Sequence, residues 1–181
     1  MVDARLFNIG KTRVTGIDLD LKYRLPVMVW GQIKLGLRGE YNIKQMQQQL
    51  DGGYVNLVNR EIIAPFVGAI PRWHHYFTLY WDRGPWAVTV TENFQAGTYD
   101  VNPNPGETRL RKIGNYDVWD VSASYTGFKD WSFLLGVKNI ADRNPPFTNQ
   151  TATVGAPAGY DPTYTDPRGR TFWGRIKYSF H

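Results

Sequence analysis

Gly136-Val-Lys-Asn-Ile-Ala-Asp-Arg-Asn-Pro-Pro-Phe147 is the stretch that decides how this 181-residue chain folds. Its first residues continue an alternating strand, which must stop at Asn144-Pro-Pro146 because proline cannot donate to a sheet ladder. After this break comes Asp166-Pro-Arg-Gly-Arg-Thr-Phe-Trp-Gly-Arg-Ile-Lys-Tyr-Ser-Phe180, which contains a second alternating strand that ends on aromatic residues. The two stretches predict that β-strands separated by a long link finish the chain.

The alternation of apolar and polar residues recurs along the rest of the sequence. In residues 16–25, every odd position from Ile17 to Leu25 is apolar or aromatic, whereas the even positions carry acids, bases or glycine. A strand places these two sets on opposite faces, whereas a helix would spread both around its surface. The same pattern predicts strands at residues 16–25, 31–44, 72–82, 86–96, 116–127, 131–139 and 170–180. Val2–Phe7 is expected to be the end of a further strand.

Short and long connections alternate between these strands. Pro26 lies in a short link, and residues 82–85 and 127–130 are tight turns. The remaining links, at residues 47–70, 97–115 and 140–169, are long and rich in turn-forming residues. This alternation is typical of an outer-membrane barrel with short periplasmic turns and long extracellular loops. We therefore predict an all-β, antiparallel, up-and-down transmembrane β-barrel segment, about seven or eight strands of a larger barrel, with its C-terminus in the periplasm.

The composition agrees with strands of this kind. The chain has a net charge of +5, no cysteine and 15% aromatic residues, and it lacks an apolar run long enough for a transmembrane helix. Without cysteine, no disulfide or Cys-ligated metal site can form. Nucleic acid is not an expected partner, because the basic residues alternate with acids instead of forming a block. Residues 1–7 do not read as a secretory signal, so we expect that Met1 is not the native start of the parent protein.

The order of these motifs resembles the C-terminus of TonB-dependent outer-membrane receptors. The resemblance covers nearly the whole chain. It rests on the two quoted stretches and on Asn8-Ile-Gly10, Pro71-Arg-Trp73, Trp81-Asp-Arg-Gly-Pro-Trp86 and Tyr116-Asp-Val-Trp119. It implies a barrel of about twenty-two strands with a plugged lumen. Such a receptor imports a scarce ligand, for example a ferric siderophore, haem, cobalamin or an oligosaccharide. Residues 1–181 would be the C-terminal part of the barrel, without the plug domain and the earlier strands.

The resemblance implies a transport protein rather than an enzyme, and one without a cofactor. The expected partners are outer-membrane lipid, the barrel-assembly machinery, the transported small ligand and, only through the missing plug, the TonB complex. One alternative is another outer-membrane barrel, such as a porin or a barrel hydrolase. The other is a soluble all-β carbohydrate-binding module, which the many Trp and Tyr residues favour. Such a module would need a second layer over the apolar faces of its strands.

Candidate ligand contacts lie in the long links. Arg109, Arg111 and Lys112 form a basic cluster that could attract an anionic ligand or lipopolysaccharide phosphates. Three link tyrosines could contact ligand, since a phenol combines apolar area with a polar tip: Tyr99, Tyr160 and Tyr164. The resemblance further implies that Tyr178 and Phe180 of the last strand are read by the barrel-assembly machinery, although the chain ends on His181 instead of an aromatic residue.

Two apparent sites of chemistry are better explained by strand geometry. Adjacent strand residues point to opposite faces, so His74 and His75 cannot share one metal ion. Asp18 and Asp20 share a face at a spacing that could suit paired-carboxylate catalysis. The cations predicted on the same face, such as Arg38, favour cross-strand ion pairs instead. No catalytic, metal or cofactor site is therefore predicted.

Overall fold

A computed structural model describes residues 11–48, 52–60, 70–103, 106–148, 159–162 and 164–180. These residues form β-strands, which are β1 (Thr12–Arg24), β2 (Gln32–Gln48), β3 (Tyr54–Asn56), β4 (Trp73–Arg83), β5 (Trp86–Gln95), β6 (Tyr99–Pro103), β7 (Leu110–Lys112), β8 (Tyr116–Tyr125), β9 (Trp131–Lys138) and β10 (Thr171–Tyr178). Within these ranges, no helix is long and apolar enough to cross a membrane.

The long strands form one antiparallel meander. They lie in the order β1-β2-β4-β5-β8-β9-β10, and β3 pairs with β2 beside this path. These seven strands are the seven predicted from the sequence, and the predicted tight turns join β4 to β5 and β8 to β9. The predicted strand at Val2–Phe7 lies outside the described residues. The sheet is not closed, since β1 and β10 are its edges.

The links hold more strand structure than the sequence predicted. β2 continues to Gln48, where Met46 lies opposite Asn56 of β3, and β6 and β7 pair with each other within the predicted loop 97–115. β3 contains Tyr54 and Val55, residue types that favour strands. The alternation predicted through Ile43 is also interrupted, because the register between β1 and β2 shifts at Thr15 and Gly16 and leaves Ile43 without a directly opposite residue.

The register gathers the apolar side chains on one face of the sheet, here called the apolar face. One row of directly opposite residues crosses all seven strands: Tyr23, Leu35, Leu79, Val90, Val121, Val137 and Phe172. The opposite side, here called the polar face, carries pairs such as Asp20 and Arg38. Since side chains alternate, a slip of one residue in any ladder would move a whole apolar set to the polar face.

The apolar face is exposed instead of being packed into a core. Leu135, Phe172 and Ile176 expose 67%, 74% and 66% of their surface. The buried hydrophobic residues of the described part lie mainly in the links, and they are Leu57, Val58, Ile70, Ile113 and Tyr116. Burying one large apolar side chain is worth about 1.5–3 kcal/mol, so this face requires an apolar surrounding medium. A soluble module would cover it with a second layer, which none of the described strands provides.

Aromatic rings collect where the apolar face meets the short turns. The rings follow one another across the sheet, with centroid separations from 4.5 to 6.1 Å: Trp86, Tyr125, Phe128, Phe133, Trp131, Tyr178 and Phe180. Amphipathic rings of this kind are enriched at membrane–water interfaces. The short-turn end of the sheet therefore has the character of an interfacial belt.

Replacing Gly136 with alanine is expected to destabilise the sheet. A Cβ at this position would lie 2.4 Å from Cε2 of Trp173, on the indole that covers the glycine. Trp173 would have to move, and overpacking of this kind costs about 1–3 kcal/mol. The measurement is the urea midpoint of unfolding, followed by tryptophan fluorescence in neutral detergent. Gly36→Ala is the matched control, because the nearest atom to its Cβ is 4.0 Å away. Equal midpoints for the two variants would contradict the expectation.

Candidate functional site

The polar face carries a cavity of about 740 Å³ at its long-link end. Its floor is formed by strands β4, β5, β8, β9 and β10. Its other side is formed by six residues of the last long link, which are Pro162, Tyr164, Thr165, Asp166, Arg168 and Gly169. Four ring-bearing side chains line it: Tyr76, Tyr116, Tyr164 and Trp173. A concave site with several rings and a few charged groups is the usual form of a small-molecule site.

Strand pairing positions the rings of this cavity. Trp173 lies directly opposite Gly136 in the β9–β10 ladder, and its indole occupies the space that a side chain at Gly136 would take. Tyr116, the first residue of β8, is only 4% exposed. Its hydroxyl donates a hydrogen bond to the backbone carbonyl of Asp166 at 3.3 Å. This bond ties the last long link to the strand floor.

Three acidic and two basic residues line the cavity, and the side chain of one of the acids, Glu92, belongs to the apolar face. Arg168 Nε donates to both carboxylate oxygens of Asp166, at 2.9 and 3.0 Å. These hydrogen bonds from Arg168 lower the pKa of Asp166 from 3.8 to about 2, and the carboxylate in turn raises the pKa of Arg168. The Asp120 carboxylate accepts the backbone N–H of Asn139 at 2.8 Å. Among the described residues, Lys138 has no carboxylate within ion-pair distance, so its ammonium is available to an anionic group.

Buried polar contacts join the last long link to the link between β5 and β8. Thr148 donates through Oγ1 to Asp100 Oδ1 at 2.6 Å, and both residues are 1% exposed. The backbone N–H of Thr148 donates to the carbonyl of Gly159 at 3.0 Å. The Arg111 guanidinium lies 4.5 Å from the centre of the Phe147 ring. The side of the cavity formed by the link is therefore anchored to a second link as well as to the strands.

The predicted ligand contacts do not lie together in the structure. Tyr164 lines the cavity, whereas the other predicted link residues do not. Tyr99 lies opposite Lys112 in the β6–β7 ladder, and Arg111 covers Phe147. Arg109 is exposed before β7, and Tyr160 is half-buried in the last link. The basic cluster is thus not brought to the cavity, and its role stays a prediction.

Sequence reasoning missed the strand residues of the cavity. Tyr76, Tyr116, Lys138 and Trp173 lie on the polar face near the long-link end. A signal was present, because three of them are aromatic residues at positions where the alternation predicts polar ones. Tyr178 and Phe180 lie far from this cavity, on the apolar face, with their ring centroids 4.7 Å apart.

The acids of the polar face and the two neighbouring histidines, His74 and His75, lie largely as the alternation predicted. Asp20 lies 3.5 Å from Arg38 and 3.4 Å from Lys22 in ion pairs. Asp18, however, lies opposite Glu40 instead of a cation. His74 bonds with Asn93 at 2.9 Å on the polar face, whereas His75 belongs to the apolar face, because it lies opposite Phe94.

Comparison with known proteins gives one family and several solved structures. The family described as "TonB dependent receptor-like, beta-barrel" matches residues 2–140. No curated protein matches the chain. A variant of the ferric enterobactin receptor PfeA from Pseudomonas aeruginosa is similar at 20% identity, with a TM-score of 0.59 over 92% of this chain and 22% of that one. The siderophore receptor PirA from Acinetobacter baumannii is similar at 16% identity, with a TM-score of 0.56 over the same shares. The chain thus spans about 22% of the length of these proteins, and the likeness shows the fold.

Replacing Arg168 with glutamine is expected to raise the pKa of Asp166 from about 2 toward 3.8. A lowered carboxyl pKa contributes stability that is complete above pH 3.8 and is lost as the pH falls toward 2. In the variant the part of this contribution that comes from the Arg168 side chain is absent at every pH, whereas the hydrogen bond from the backbone N–H of residue 168 remains. The measurement is the titration of the Asp166 carboxyl by carbon-13 NMR in neutral detergent. Arg170→Gln is the control, since the Arg170 side chain has no ion pair among the described residues. A midpoint that stays near 2 in Arg168→Gln would contradict the assignment.

Proposed function

The chain belongs to the TonB-dependent receptor β-barrel family, and on that basis we propose that it forms barrel wall and extracellular links of an outer-membrane importer. The observation that carries the proposal is the row of apolar residues that crosses all seven strands from Tyr23 to Phe172 on an exposed face. Lipid is the medium that such a face fits, and the polar face then lines the lumen. Family membership also argues against the porin and hydrolase alternatives.

The proposed orientation places the short turns in the periplasm and the long links outside the cell. Strands such as β4, with 11 residues, have the length of a tilted bilayer span. The belt of rings near Tyr178 then lies at the periplasmic interface, and the C-terminal strand runs toward the periplasm. Tyr178 and Phe180 would be presented to the barrel-assembly machinery at that interface.

The proposed ligand site is the lumenal cavity beneath the last long link. Rings such as Trp173 and Tyr76 offer flat apolar area, and Lys138 offers a cation with no carboxylate of the described residues within ion-pair distance. These features suit a ring-bearing anion. The ferric siderophore class is the first choice among the importer ligands, supported by the siderophore receptors that share this fold. Haem, cobalamin and oligosaccharides are the other classes. Energy would reach the site from the TonB complex through a plug domain.

Replacing Lys138 with glutamine is expected to weaken ligand binding about tenfold, since a hydrogen bond to a charged group contributes about 1.5–3 kcal/mol. The measurement is the uptake of radiolabelled ferric siderophores, enterobactin among them, by iron-starved cells that produce the receptor. Lys177→Gln is the matched control, because Lys177 of β10 lies on the polar face, as Lys138 does, but outside the cavity. Equal uptake in the two variants, at equal amounts of receptor in the membrane, would remove Lys138 from the site.

The protein in outer-membrane fractions is expected to be several-fold larger than this chain, because the chain spans 22% of a solved receptor of the same fold. The measurement is the apparent mass of the band that an antibody against residues 141–168 detects. Cytoplasmic and inner-membrane fractions serve as controls for the location. A stable outer-membrane band at the mass of the chain itself would mean a small autonomous barrel, and the importer assignment would fall.

A further inference from the structure

The apolar face carries an ionisable pair, His75 and Glu92, among its hydrophobic residues. In the β4–β5 ladder, His75 lies opposite Phe94 and Glu92 lies opposite Phe77, so both side chains belong to the apolar face. His75 Nε2 lies 3.3 Å from Glu92 Oε2, and the side chains are 17% and 18% exposed. Ionisable groups on a membrane-facing surface are costly and rare, and they usually mark a function.

Trp73 extends this pair to a hydrogen-bonded series of three. Its indole Nε1–H donates to His75 Nδ1 at 2.8 Å. Since Nδ1 accepts, a neutral His75 carries its proton on Nε2 and donates it to Glu92. The imidazole is also stacked on Phe94, with ring centroids 5.0 Å apart and planes at 22°. The Trp73 indole in turn covers Gly39 of β2.

We propose that His75 is a proton-operated switch at the long-link rim of the apolar face. Protonation places a hydrogen on Nδ1, which can then no longer accept from Trp73. The imidazolium gains an ion pair with Glu92, while the Trp73 N–H loses its acceptor and the indole turns away from His75. Histidine is the side chain whose charge normally changes between about pH 5 and 8, which is a range that the outside of a cell encounters.

Few other charges face this histidine from the neighbouring strands. β2 contributes Gly39 opposite His75 and the phenol of Tyr41 opposite Trp73. Beyond β5, Asp117 of β8 lies opposite Phe94 and is paired with Arg143 at 3.6 Å. Glu92 is therefore the charged group that contacts His75, and the Trp73 N–H is the second hydrogen-bond partner of this imidazole.

The switch acts where a long link joins the sheet. Trp73 is the first residue of β4. The two residues before it are held to β2 by Asn42, whose backbone N–H donates to the carbonyl of Arg72 at 2.9 Å and whose Nδ2 donates to that of Pro71 at 3.1 Å. A turn of the Trp73 indole therefore changes the packing directly beside this clamp. External acidity would in this way alter how Pro71 and Arg72 are held against β2.

The test is fluorine NMR of the full chain labelled with 5-fluorotryptophan and held in neutral detergent. The Trp73 resonance is identified by its loss in Trp73→Phe, and the other tryptophans of the seven in the chain report whether the fold persists. Between pH 8 and pH 5 the Trp73 resonance should move while the others stay in place. His75→Gln should abolish this movement. His74→Gln is the matched control, since its side chain lies on the polar face, and it should retain the movement.

Glu92→Gln provides a second arm that leaves the histidine in place. Without the carboxylate the protonated form loses its ion-pair partner, so the pH dependence of the Trp73 resonance should change. The proposal is overturned if the Trp73 resonance is independent of pH in the wild-type chain, if the movement survives in His75→Gln, or if Glu92→Gln leaves its midpoint unchanged.

Discussion

Backbone pairing between neighbouring strands is the interaction on which the rest of this structure depends. In the part of the chain that the structure describes, no packed core lies behind the apolar face, so the ladders hold the seven strands in place. In an apolar medium every backbone N–H and C=O must find its partner inside the sheet, because an unpaired group costs several kcal/mol. The same ladders fix which side chains lie on the apolar face and which lie on the polar face. The unbroken row from Tyr23 to Phe172 is the visible result of this register.

The special features of the molecule lie where the ladders end. At the short turns, rings from four strands and their turns form a continuous belt. At the other end, buried contacts such as Thr148 with Asp100 give the links a small polar core of their own. Two tryptophans at this end use the same packing on opposite faces. Trp173 covers Gly136 beside the cavity, and Trp73 covers Gly39 beside His75. In both places a glycine in one strand leaves room for the indole of a tryptophan in the neighbouring strand.

The sequence predicted the strands well because alternation is a local signal that directly reports the two environments of a sheet. The tight turns were also predicted from a local signal, since Gly84 followed by Pro85 favours a turn between two strands. The link residues were harder, because their neighbours are distant in sequence. The sequence around Thr148 does not predict its hydrogen bond to Asp100, which is 48 residues away. The cavity was hard to predict for the same reason, since its lining comes from five strands, with one residue each from β4 and β9, two from β10 and three each from β5 and β8. Tyr164 was anticipated as a loop tyrosine, whereas Trp173 looked like one more ring in an aromatic strand.

The directions of the two edge strands, β1 and β10, limit how further strands can close this sheet into an antiparallel barrel. Each step along the path reverses the chain direction, so β1 and β10 point the same way. β10 laid beside β1 would therefore pair with it in parallel, whether the sheet rolls onto itself or a second copy lies alongside in the same orientation. An antiparallel cylinder can include these strands only if an odd number of others separates β10 from β1. The two edges of the sheet, β1 and β10, therefore cannot pair with each other in an antiparallel ladder.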